Sequence, residues 1–204
     1  AAVQRAAEAG QWCVGYLRYE AAPAFDGALA VHPADGPLAW FGVFDAPTFA
    51  ESMPDAQADD AGMAAIAEWD DGMPRAAFDT AMAAIHSAIA EGRYYQLNFT
   101  HALQGRLAQG TPWSLFQALR RAQPGGYAAF VDTGEEQVLS VSPELFFDWD
   151  GDRLLTRPMK GTAPRGATPD LDAARADALY HSPKERAENV MIVDLLRNDL
   201  SRVA

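Results

Sequence analysis

The sequence predicts an α+β, or mixed α/β, chain. Three observations carry that prediction. Apolar runs with strand-like alternation are bounded by Gly, Pro and Asp, stretches with helical apolar spacing and capping residues are interspersed among them, and 49% of the 204 residues are hydrophobic, enough for a sizeable core. The expected organisation is an N-terminal strand region over residues 1–75, then a larger portion over residues 76–204.

Taken in order, Trp12 to Tyr19 and Leu38 to Phe44 read as strands and neighbours in one sheet. Glu51 to Gly72 is acidic and Ala-rich, and reads as a surface loop with room for one short element. Phe78, Met82, Ile85 and Ile89 follow helical spacing, with Gly92 at the stop position. Tyr94 to Leu103 alternates as a strand does. Thr111-Pro112 is an N-cap and N1 pair, and the helix it opens runs until Pro124-Gly125-Gly126. Strands follow over Tyr127 to Val131, Gln137 to Val141 and Leu145 to Trp149, and Asp150-Gly151 turns the chain into Arg153 to Pro158 as a hairpin. Ser182-Pro183-Lys184-Glu185 is a capping box that opens the last helix.

The formal net charge of −12 argues against a nucleic-acid footprint or an anionic membrane surface as partner. It leaves room for a small anionic substrate in a locally cationic pocket. One cysteine, Cys13, excludes a disulfide framework within the chain and reads as a small core hydrophobe. No signal peptide and no membrane-length apolar run occurs, so a soluble cytoplasmic protein is the default expectation. The chain opens on Ala and stops at Ala204 just after an apolar helix pattern, so a piece of a longer protein is expected.

If Asp150-Gly151 is a two-residue turn, Trp149 faces Asp152 and Glu144 falls opposite Arg157. Lys160 then lies about 10 Å further along, at ~3.3 Å per residue, within reach of a long stem. An amine and a carboxylate share the open end of one hairpin. A lysine nucleophile with a glutamate acid or base is one reading, and an exposed ion pair is the other. On the last helix, Glu188 shares a face with Met191, Ile192 and Leu195, while Val190, Val193 and Leu196 point elsewhere. A helix apolar on most sides is expected to be buried. A carboxylate there must be paired or bind a cation, so Glu188 is either a Mg²⁺ ligand or half of an internal salt bridge. Asp194 and Arg197 read as a helix-stabilising pair.

Gly161 to Gly166 forms a short polar loop able to offer N–H groups and the Thr162 hydroxyl to a carboxylate. It is not a phosphate-binding Walker loop, and no dinucleotide fingerprint occurs. His32, His86, His101 and His181 are scattered without metal-ligand spacing, and the Trp and Phe residues read as core.

Three stretches match one family, in its order. Tyr95-Gln96-Leu97-Asn98-Phe99-Thr100 resembles a Tyr-Gln-Val-Asn-Leu-Thr strand. Ser142-Pro143-Glu144 followed by Thr156 to Gly166, with Pro158-Met159-Lys160-Gly161-Thr162 at its centre, resembles a central hairpin. Lys184 to Leu200 resembles a long buried helix. The family is the chorismate-utilising enzymes, which comprise aminodeoxychorismate, anthranilate, isochorismate and salicylate synthases. The resemblance runs from about Trp12 to the end. It implies an anthranilate synthase component I-like chorismate-binding fold of antiparallel sheets flanked by helices, incomplete at the C-terminal end of this chain.

Within the family, isochorismate and salicylate synthases place a water-activating lysine where Gln96 stands, so the resemblance implies ammonia as nucleophile. Lysine at position 160, where anthranilate synthases usually have Ala, marks the aminodeoxychorismate synthases, and Asn98 suits them too. The implied chemistry is Mg²⁺-dependent amination of chorismate to 4-amino-4-deoxychorismate, on the way to p-aminobenzoate and folate. Lys160 is the implied nucleophile, Glu144 the general acid, Gly161, Thr162 and Gln96 substrate contacts, and Glu188 a metal ligand. A glutamine amidotransferase partner would supply the ammonia. Two alternatives are an anthranilate synthase component I-like aminase and a truncated, non-catalytic chorismate-binding module. The family's second metal carboxylate, its catalytic histidine and a Gly-Ser-Ile-Thr-Gly-Ala-Pro-Lys motif have no counterpart here.

Overall fold

The computed structural model describes residues 2–49, 65–70 and 72–202, so most of the acidic stretch expected to be a surface loop lies outside the described residues. The chain forms two compact units, one of residues 1–122 with 130–139, the other of residues 123–129 with 140–204.

In the first unit, α1 (Ala2–Glu8) packs on the hairpin of β1 (Trp12–Leu17) and β2 (Ala39–Phe44). These strands are the expected neighbours, antiparallel from Trp12↔Phe44 to Leu17↔Ala39. β1 stops two residues short of Tyr19 because a 3-10 turn, Tyr19–Ala24, takes over. Tyr16 stacks on Trp40 across the pair, at 6.4 Å between ring centroids. The Tyr16 hydroxyl and Arg18 Nη2, the latter at 2.6 Å, both donate to the Glu136 carboxylate. The Tyr16 hydrogen bond holds the Glu136 carboxyl below its ordinary range, and the same bond pushes the Tyr16 hydroxyl up.

Among the described residues, the acidic stretch forms one short element, β3 (Ile66–Trp69), and it decides where the next strand forms. Its partner is β4 (Gly105–Gln109), with Trp69↔Gly105 and the ladder ending at Asp70 N–H on Gln104 O, 2.8 Å. The alternation over Tyr94–Leu103 predicted a strand there, and that expectation is corrected, because residues 96–104 carry no regular structure. A strand exists only where a neighbour takes its N–H and C=O groups, and β3 takes those of 105–109.

Between them, α2 (Arg75–Ala90) forms where helical spacing predicted it, and after β4, α3 (Pro112–Ala122) opens on its Thr111 cap. Thr111 Oγ1 accepts from Ser114 N–H at 3.1 Å, and Ser114 Oγ accepts from Thr111 N–H at 2.9 Å. A Ser thus does at N3 what Glu or Gln does in a capping box. Phe116 of α3 is fully buried, with Trp113 and Phe130 rings at 5.5 and 5.6 Å. Burying such a side chain contributes about 2–3 kcal/mol. The expectation that the Trp and Phe residues form core holds at this cluster and fails elsewhere. Trp12, Trp69, Trp149 and Phe146 each expose more than half their surface. Two-stranded sheets bury little by themselves, since each has two faces to cover.

The hairpin of β5 (Tyr127–Asp132) and β6 (Gln137–Ser142) contributes its turn end to the first unit and its open end to the second. The second unit continues with β7 (Leu145–Asp150), β8 (Arg153–Arg157), α4 (Pro169–His181) and α5 (Pro183–Leu200). No periodicity announced α4, whose charged and apolar residues are spread around all sides. It forms behind Thr168, whose hydroxyl accepts from Leu171 N–H at 3.3 Å, with Pro169 at N1. Ser182 caps α5 by accepting from Glu185 N–H at 3.3 Å, while its own N–H bonds to Leu179 O. Only one arm of the predicted capping box is therefore made.

The expected burial of α5 is also corrected. None of its residues is buried, and Val190 and Val193 are 67% and 47% exposed. The described elements of this unit cover part of the helix and leave those apolar sides open. Asp194 and Arg197 form the expected pair at 2.7 Å, on the exposed surface. No described helix is long and apolar enough to cross a membrane.

Candidate active site

The β7–β8 register sets the geometry, and its turn falls one residue later than expected, so that the partner of Trp149 moves from Asp152 to Leu154. Asp150 pairs with Arg153 and Trp149 with Leu154, so the turn is Gly151-Asp152, with Trp149 Nε1 donating to Gly151 O at 2.8 Å. A bulge between Leu145 and Asp148 then restores Leu145 to Arg157. Glu144 therefore lies one step beyond Arg157, against the residues leading to Lys160. Its Oε1 accepts from Met159 N–H at 2.6 Å. The corner that aims it is tight, since Ser142 Oγ donates to Glu144 O at 2.9 Å and accepts from Glu144 N–H at 3.1 Å.

Lys160 follows directly, half-buried, in a stretch from 158 to 166 without regular structure. Its carbonyl accepts from Asn189 Nδ2 of α5 at 3.4 Å. Gly161 has φ +79°, and a Cβ there would stand 3.0 Å from Glu185 Oε2. Glycine is needed for both reasons, the left-handed backbone and the close approach of the helix. Thr162 comes next and is exposed.

Further along, the stretch is tied to α4. Arg165 grips Asp172 through two parallel bonds of 2.8 and 2.7 Å, and Gly166 N–H donates to the same carboxylate at 2.7 Å. Arg165 first, then the Gly166 N–H, holds the Asp172 carboxyl below its ordinary range. A Cβ on Gly166 would stand 2.1 Å from Asp172 N, so no side chain fits there.

Glu188 is half-buried rather than sunk in a core. Its Oε1 lies 3.7 Å from Lys184 Nζ, and Glu185 Oε1 lies 3.6 Å from the same ammonium. The sequence left a cation and a salt bridge open for Glu188; the pairing seen is with a lysine one turn back. Among the described residues no group of three or more His, Cys, Asp or Glu gathers to hold a metal. Two carboxylates one turn apart around a single exposed ammonium still suit Mg²⁺, which needs one or two carboxylates and takes its other oxygens from water and substrate.

The second unit thus brings Glu144, Lys160, Gly161, Thr162 and Glu188 to the mouth of one hairpin and the first turns of one helix. Gln96 belongs to the first unit and is half-buried in the irregular stretch after α2. In the sequence, Asn189 and Asp172 have no role of their own, and Glu185 has only a capping one. An asparagine inside a helix of otherwise good formers was a readable sign for the first. Nothing local linked Asp172 to Arg165. A separate apolar groove of about 890 Å³ lies at the turn end of the hairpin, lined by Phe146, Trp149, Leu196 and Leu200 among others. It is remote along β7 from Glu144.

Comparison with known proteins identifies the family. The family model described as chorismate binding enzyme matches residues 1–204. An aminodeoxychorismate synthase of Streptomyces griseus is 49% identical over 117 residues, 57% of this chain and 16% of that protein. Component 1 of aminodeoxychorismate synthase from Klebsiella aerogenes is 40% identical over 136 residues, 67% of this chain and 30% of that protein. An anthranilate synthase component 1 of Haloarcula marismortui is 43% identical over 129 residues, 63% of this chain and 25% of that protein. The matched stretch thus spans from 16% to 30% of these relatives' lengths. With a family model matched over residues 1–204, this chain belongs to the chorismate binding enzyme family.

Proposed function

We propose that this chain is part of an aminodeoxychorismate synthase component 1, which aminates chorismate with ammonia to 4-amino-4-deoxychorismate. The observation that carries the reading is Glu144 at 2.6 Å from Met159 N–H, which puts a carboxylate beside the peptide bearing Lys160. Relatives named aminodeoxychorismate synthase, at 49% and 40% identity, support it.

In this reading the Lys160 amine adds at C2 of the ring. The C4 hydroxyl leaves as Glu144 passes it a proton, so that water departs. Ammonia then adds at C4, the C2–N bond breaks, and the lysine amine is regenerated. The net reaction is chorismate plus ammonia giving aminodeoxychorismate plus water. Glu188 would hold Mg²⁺, which when bound neutralises a substrate carboxylate. In this reading the Gly161 N–H and the Thr162 hydroxyl bind carboxylate oxygens. Gln96 cannot act as a base toward water, which leaves ammonia as the nucleophile. A glutamine amidotransferase would supply that ammonia, in keeping with relatives named component 1.

The Haloarcula relative, at 43% identity, favours a second reading as an anthranilate synthase component 1. Product analysis separates the two. The full chain is incubated with chorismate, ammonium and Mg²⁺, and aminodeoxychorismate without pyruvate is the expected result. Anthranilate with pyruvate would sink the leading reading.

A further inference from the structure

We infer that Asn189 is a positioning residue for Lys160. The inference rests on the reading of Lys160 as nucleophile. Residues 158–166 have no strand or helix ladder to order them, so side chains from neighbouring elements must do so. Anchors lie on both sides of the Lys160 Cα. Before it, Met159 N–H is held by Glu144 at 2.6 Å, and after it the Lys160 carbonyl is held by Asn189 at 3.4 Å. Gly161 then packs against Glu185, one turn before Asn189 on α5.

Glu144 ties the peptide to the hairpin. Asn189 ties it to the helix that carries Glu188, so the amine is referenced to the carboxylate assigned to the metal. Asparagine weakens a helix interior because its amide competes for backbone groups. Here the amide is turned outward onto a neighbouring carbonyl. At 3.4 Å the bond is long, so it steers the lysine rather than locking it.

The test uses Asn189→Ala and Asn189→Gln in the full chain. Alanine favours the helix, so a loss cannot be ascribed to α5 unfolding. Asn189→Ala is expected to lower kcat about tenfold while KM for chorismate stays within about twofold, since misplacing a reacting group costs rate more than binding. Asn189→Gln, which keeps the carboxamide, is expected to recover most of that loss. The second readout needs no turnover. The chain has two lysines, and Lys184, with its side chain 78% exposed, serves as internal reference. Acetylation by acetic anhydride, followed by mass spectrometry, is expected to show a changed Lys160-to-Lys184 ratio in Asn189→Ala and a restored one in Asn189→Gln.

An unchanged ratio overturns the inference whatever the rate does. So does a rate loss that excess Mg²⁺ abolishes, because the effect then runs through Glu188. Full activity in Lys160→Ala would instead remove the nucleophile reading, and the labelling ratio would still report whether Asn189 sets the lysine's place.

Discussion

Two irregular stretches carry the most recognisable residues of this chain, and they are built differently. Residues 158–166 are gripped by Glu144, Asn189 and Asp172, from a strand corner and two helices. In residues 93–104, Tyr94 and Tyr95 expose 52% and 65%, while Phe99 packs edge-on against Phe78 at 5.7 Å. In the first stretch, side chains from neighbouring elements take up backbone groups that no ladder serves, among them Met159 N–H, the Lys160 carbonyl and Gly166 N–H. The second has the alternation of a strand but not the neighbour, because β3 pairs beyond it.

The contrast can be broken or sharpened by substitution. The largest effect is expected for Glu144→Gln. The amide oxygen still accepts from Met159 N–H, so the loop stays in place, but proton transfer is lost. Turnover with chorismate and ammonium should fall by roughly 10²–10⁴ with the denaturation midpoint unchanged. A fall in stability equal to that of Glu144→Ala would mean that Glu144 serves only the loop.

Next comes Gly166→Ala, where the added carbon meets the Asp172 backbone. The expected cost is about 1–3 kcal/mol, read from urea unfolding. A neutral result would show that the α4 end of the loop gives way freely.

Asp172→Asn tests the same anchor through pH. The carboxyl is held below its ordinary range when folded, so its stabilising contribution is complete above the unfolded aspartate value of about 3.9 and is lost as the pH falls through the lower folded value. The natural chain should unfold at higher urea than Asp172→Asn at neutral pH, and the gap should close below about pH 4. A gap that persists unchanged at pH 2 would exclude the charge as its source.

The smallest effect is expected at Tyr95→Ala in the other stretch. An exposed ring with no described burial should cost within about 0.5 kcal/mol. A loss of 2 kcal/mol or more, well above that order for a surface site, would show that Tyr95 is covered in solution.

Much of this was legible in the sequence, and the failures have physical causes. The caps at Thr111 and Ser182, the Pro-Gly-Gly stop and the helical spacing of α2 depend on residues a few positions apart, so they could be read directly. The hairpin was readable as a hairpin, but its turn falls one residue later than the sequence suggests. The irregularity between Leu145 and Asp148 shifts the pairing again, and nothing local in the sequence announces it. The strand at Tyr94–Leu103 failed because alternation states what a segment could do and not whether a neighbour is present. The burial of α5 failed for a similar reason, since an apolar helix is buried only as far as other elements cover it.

By itself the sequence determined the local elements, their caps and turns, the acidic balance and the motif residues that identify the family. Hairpin spacing and the helix stripe single out Glu144, Lys160 and Glu188 in the sequence alone. The tertiary structure alone decided that Glu144 meets Met159, that Asn189 reaches the Lys160 carbonyl, and that Asp172 closes on Arg165 and Gly166. Asn189 and Lys160 are separated by 29 positions and joined only when α5 docks on the loop. Contacts of that kind arise from competition among whole elements for surface and for backbone partners, and spacing along the chain does not encode them.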